Sequence, residues 1–144
     1  MASRNPVTFA IYPEPHRRNR RLYYAVFIWR TKQDMHNAVA ALRKLRKWSR
    51  VGNNYLGIVM GFTNRDPKVP HCVGHVHLCR KAARRGGIVT HEMAHAASYY
   101  WMNHVGSMRM IETAERNDER FAYIVGELNR QYWANWYRSV GEPH

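Results

Sequence analysis

Residues Ile88–His104 read IVTHEMAHAASYYWMNH, and the rest of the chain is understood by working outward from them. The stretch contains neither Pro nor Gly, follows Gly86-Gly87 and stops before Gly106, so it predicts a helix. Inside it, His91-Glu92-Met93-Ala94-His95 is an H-E-x-x-H sequence. A helical turn puts residues i and i+4 on one face, so both imidazoles can reach a single tetrahedral Zn2+ with Glu92 near the metal's open side. A carboxylate there can take a proton from zinc-bound water, whose pKa the metal lowers to about 7. With 9 His in 144 residues, the pattern is expected only about 0.03 times by chance. The competing reading is a pair of hydrogen-bonded core histidines, yet a plain core helix would carry apolar residues at both positions. Ala94, Ala96 and Ala97 keep the helix slim enough for a second helix to approach and donate a third ligand.

That second helix is predicted from about Thr113 to Tyr137, with Phe121, Ile124, Val125, Leu128, Tyr132 and Trp136 as its apolar face. A catalytic zinc site usually has three protein ligands and an open position. After His95 the sequence does not continue as H-x-x-G-x-x-H, so the third ligand comes from His104, Glu112, Glu115 or Glu119. Glu115 and Glu119 share a helical face. Glu119 is favoured because Ala122 leaves room beside the metal while Phe121 and Ile124 dock the helix.

Upstream of the motif, LYYAVFIW (Leu22–Trp29) predicts a buried strand, and Val7–Tyr12 can add a short one. Thr31 or Asp34 can cap a helix with Met35, Val39, Leu42, Leu45 and Trp48 on its apolar face, ended by Gly52-Asn53-Asn54. Tyr55–Phe62 and Cys72–Cys79 predict two more strands, the latter with His75 and His77 on one face. The expected fold is α+β: a short mixed sheet of about three strands packed on the motif helix and the long helix after it. Residues 1–21 read as a basic N-terminal arm and 22–144 as one domain.

Composition narrows the function classes. The 144 residues are 45% hydrophobic with 6 Pro and 9 Gly, which excludes a disordered or collagen-like chain. No apolar run reaches the roughly 18 residues of a membrane span, so an intracellular or virion-associated protein is expected. Lys and Arg number 23 against 10 acids, a net charge of +13. The cations cluster at Arg17–Arg21 and Arg43–Arg50, which suits electrostatic contact with nucleic acid or another polyanion, although no sequence-reading motif is present. Strand alternation sends Cys72 and His75 to opposite faces and spaces Cys72 and Cys79 too far apart for a disulfide, so neither a second metal site nor a cystine is expected. His75, His77, Tyr99, Tyr100 and Tyr123 are candidates to touch a scissile carbonyl, against the commoner role of such residues in a core.

HEMAH on one helix and DERFAYIVGEL on the next resemble the gluzincin metallopeptidases, which pair H-E-x-x-H with a downstream Glu. The compact layout is similar to the one-domain minigluzincins, especially short phage-encoded members. The likeness spans about Gly74 to Trp136. It implies a peptide-hydrolysing enzyme with His91, His95 and Glu119 holding Zn2+, Glu92 as general base and a polypeptide as substrate. It also implies that the strand before the motif helix, here Gly74–Leu78, is an edge strand that pairs with extended substrate. HEMAHAA looks in addition like the SprT-like DNA-associated proteases, whose third ligand is a histidine, but their H-G-x-x-F phrase is absent. The rival from another class is a basic nucleic-acid-associated or virion protein that keeps a structural zinc.

Overall fold

The computed structural model describes residues 5–17, 19–46, 55–63, 66–106 and 115–140. Strand β2 (Tyr23–Trp29) forms where the apolar run predicts a buried strand, with Tyr24, Val26 and Ile28 buried on one face and the other face partly covered. The arm strand β1 (Val7–Ile11) pairs antiparallel with β2 from Val7↔Ile28 to Ile11↔Tyr24. Helix α1 (Lys32–Arg46) follows, and of the two caps expected it uses Thr31, whose Oγ1 accepts the Asp34 N–H at 3.1 Å. Then come β3 (Gly57–Gly61), β4 (Cys72–Cys79), a single turn α2 (Arg80–Ala83), the motif helix α3 (Gly86–His104) and the long helix α4 (Glu115–Val140).

The class is α+β, and the described residues form four strands rather than about three, in the order β1-β2-β4-β3. The extra strand is β1, so the arm belongs to the fold from Val7 onward. β4 runs parallel to β2 and antiparallel to β3. Chain order therefore misleads about edges: β4, the strand just before the motif helix, lies inside the sheet, and β3 ends it. The expectation that Gly74–Leu78 is an open edge is thus corrected. Both of its flanks are already hydrogen-bonded, to Tyr24–Ile28 and to Gly57–Gly61.

Two apolar layers cover the sheet. Val26, Ile28, Val76 and Leu78 on one face pack with Met93, Ala97 and Trp101 of α3 and with Ile124, Leu128, Tyr132 and Trp136 of α4. On the other face, Met35 and Val39 of α1 pack with Met60, Phe62, Cys72 and Cys79. Cys72 lies on this second side because the β2–β4 register shifts between Tyr23 and Tyr24, which breaks the alternation expected for it. Both cysteines are buried thiols, not joined in a disulfide. Buried hydroxyls pin the layers together: Tyr24 donates to the Ala96 carbonyl at 2.8 Å and Tyr132 to that of Ala83 at 2.5 Å. Among the described residues no helix is long and apolar enough to cross a membrane.

Helix α3 lies against β3 where two glycines allow it. A Cβ at Gly61 would come within 2.9 Å of the Tyr99 Cβ, and one at Gly57 within 3.2 Å of the Glu92 Cγ. The Tyr99 Cβ is fixed to its helix backbone and cannot swing aside. Gly61→Ala is therefore expected to push α3 off β3 and to cost about 1–3 kcal/mol in a denaturant titration. An unchanged midpoint would show that the helix does not rest on this strand.

Candidate metal centre and cleft

Helical spacing puts His91 and His95 on the outward face of α3, where both are exposed. Their Nε2 atoms lie 3.1 Å apart with the rings at 80°. Two nitrogens bound tetrahedrally at the usual 2.0–2.1 Å zinc distance would be separated by about 3.3 Å, so the pair fits a shared metal. Tyr99, one turn beyond, stacks on His95 at 6.0 Å between centroids. Glu92 turns toward the sheet beside Gly57 and is only 7% exposed. Burial pushes its carboxyl above the ordinary range, with the nearby His91 opposing. A carboxylate raised in this way is suited to take up and release a proton.

The histidines and Glu92 open into a cleft of about 570 Å³ lined by β3, Tyr55, Arg43 and Tyr99. One wall is the whole of β3, which among the described residues pairs only with β4, so the end strand of the described sheet runs alongside the imidazoles. The sequence gives Tyr55 no functional role and Arg43 only a place in the basic helix face. They come from the loop before β3 and from α1, and only the fold carries them to this place.

Among the described residues no three His, Cys, Asp or Glu side chains form a metal-holding group. Glu119 is exposed in the second turn of α4. The side chains of Glu112 and Glu115 lie outside the described residues. His104 shares the continuous helix α3 with His95, nine residues on, and a rise of about 13 Å removes it from the same metal.

His75 and His77 do not line the cleft. His77 sits 3% exposed beneath Phe27 and Trp29, stacked on Phe27 at 4.7 Å. Trp29 donates its indole N–H to His77 Nδ1 at 2.9 Å. Burial, helped by neighbouring His75, lowers the His77 pKa to about 3, so the ring is neutral and structural. Tyr100 is buried and bonded to Glu14, while Tyr123 is exposed on α4 and absent from the cleft wall. Of the aromatic candidates only Tyr99 lines the cleft. Of the basic helix face, Arg43 lines the cleft and Lys44 is exposed; 47–50 lie outside the described residues. No protein-family model matches the chain, and neither a curated protein nor a solved structure matches it.

Proposed function

We propose that the chain is a zinc-dependent metallopeptidase of the gluzincin type, built on the minigluzincin plan, that hydrolyses peptide bonds in an extended polypeptide. The observation that carries this reading is the 3.1 Å convergence of the His91 and His95 Nε2 atoms beside buried Glu92, at the mouth of a cleft walled by an end strand. His91 and His95 hold the metal, and the third ligand is assigned to the acidic start of α4, to Glu119 before Glu115. Bound zinc supplies a Lewis acid for the carbonyl and lowers the pKa of water to about 7. Glu92 takes the proton of the attacking water and hands it to the departing amine. The backbone N–H and C=O groups on the outer side of β3 align the substrate by strand addition, the role that the resemblance alone would give to Gly74–Leu78.

Elemental analysis tests the metal directly. The purified protein is expected to hold about one zinc per chain, and His91→Ala or His95→Ala to abolish it. Glu119→Gln is expected to weaken zinc at least about a hundredfold in a competition titration. If Glu119→Gln leaves affinity untouched and Glu115→Gln removes the metal, Glu115 is the ligand. A wild-type protein that retains no zinc overturns the reading.

A further inference from the structure

We propose a second site, away from the metal centre: the cleft between the N-terminal arm and the start of β2 takes an unstacked nucleotide of single-stranded nucleic acid. The cleft measures about 480 Å³ and is lined by Tyr12, Pro15, Arg20, Arg21, Tyr23 and His71. None of its lining residues borders the metal cleft.

The cleft is built from anchored backbone. Tyr12 is held at both its backbone groups by one side chain, donating its N–H to Gln131 Oε1 at 2.7 Å and accepting from Gln131 Nε2 at 2.8 Å. Tyr23 N–H donates to the His71 carbonyl at 2.9 Å, which fixes the opposite wall. Between them the arm turns through Arg20 N–H to Arg17 C=O and Leu22 N–H to Asn19 C=O. The Tyr12 and Tyr23 rings are 5.9 Å apart and tilted by 51°, so neither covers the other's face completely.

Charge selects the ligand. Arg20 and Arg21 are exposed, and neither has an ion-pair partner among the described residues. The one acid of this segment, Glu14, points inward and is neutralised by Arg120. The pocket wall therefore carries two guanidiniums and a histidine with no carboxylate. An acidic peptide would engage the cations and leave the tyrosines unused. A nucleotide uses both, its phosphates meeting the guanidiniums and its base lying on a tyrosine ring. Bases inside a duplex expose only their edges, so stacking demands a single strand. The proposal does not rest on the peptidase reading, and Glu92→Gln is expected to bind nucleic acid like wild type.

Fluorescence anisotropy of labelled oligothymidylate tests it, with a duplex of equal length and polyglutamate as competitors. The single strand is expected to bind more tightly than the duplex. Arg20→Gln/Arg21→Gln should weaken it at least about tenfold, whereas the charge-matched Arg84→Gln/Arg85→Gln, outside the cleft, should change it by less than about threefold. Tyr12→Leu, checked for fold by circular dichroism, should cost about tenfold on the single strand only. Independently of any variant, a 5-iodouracil oligonucleotide should photocrosslink wild-type protein at Tyr12 or Tyr23. Equal affinity for duplex, equal loss in both arginine pairs, or crosslinks confined to other residues would overturn the proposal. Polyglutamate displacing the strand with the same dependence on Tyr12 would also overturn it, in favour of an acidic protein partner.

Discussion

Glu92→Gln is expected to fold and to retain zinc at wild-type stoichiometry while losing at least about a hundredfold in peptide hydrolysis. General-base contributions run to about 10²–10⁴-fold, and the amide keeps the shape of the acid without its proton affinity. The structure adds a reason why the loss should be chemical. The Glu92 side chain faces Gly57 of β3 while the Nε2 pair of His91 and His95 faces solvent, so the substitution touches the sheet side of α3 and leaves the donors alone. Casein or self-cleavage, followed with and without a chelator, supplies the assay, and metal analysis the control. A chelator-sensitive cleavage that proceeds equally in wild type and variant would remove Glu92 from the chemistry.

The elements of this site were readable because their signals are local. Absence of Pro and Gly over 88–104 marked all of α3 but its start, where Gly86 and Gly87 join the helix rather than precede it, and the i, i+4 pair on it needs only helical geometry to converge. The apolar face of α4 was equally explicit, with Ile124, Leu128, Tyr132 and Trp136 all fully buried. The sheet order was not readable, because pairing is set by tertiary packing. The crossover through α1 and β3 brings β4 back beside β2 and leaves β3 at the end. His77 shows the same limit. Alternation on β4 suggested a histidine facing a substrate, but α1 and the Phe27 and Trp29 rings cover that face, as happens to inner strands coated on both sides. Within the predicted strand Tyr55–Phe62 nothing singles out Gly61, and its close approach to Tyr99 appears only once α3 is in place. The third ligand stayed open for a plainer reason: three of its four candidates precede or begin α4, far in sequence from the histidine pair.

Replacing Glu14 is expected to have the largest effect on stability of any single change considered. Glu14 is fully buried in an arm otherwise rich in cations, and Arg120 of α4 binds both its oxygens at 2.7 Å. Tyr100 of α3 donates to the same carboxylate at 2.6 Å. One side chain thus ties the arm to both helices of the site, across 106 residues of sequence in the case of Arg120. Breaking a buried pair by removing one partner costs about 3–5 kcal/mol, and the 25% exposure of the Arg120 side chain favours the lower end. Glu14→Gln and Arg120→Met should each lower the melting temperature by on the order of 10 °C. The double variant Glu14→Leu/Arg120→Met should recover part of that loss, since it strands no charge. Desolvation works against the Glu14 charge, but hydrogen bonds from Arg120 and Tyr100, with the charges of Arg120 and Arg17, outweigh it and hold the pKa below the usual carboxylate value. Because the folded pKa is the lower one, the stabilisation is complete above the unfolded value near 4.5 and disappears as pH falls through the folded value. The gap in stability between wild type and Glu14→Gln should therefore be widest near neutrality and close on acidification. Denaturant titrations at neutral pH and at about pH 4 and below measure it. A gap that is absent at neutrality, or that persists undiminished in acid, would mean that the arm is not held by this carboxylate.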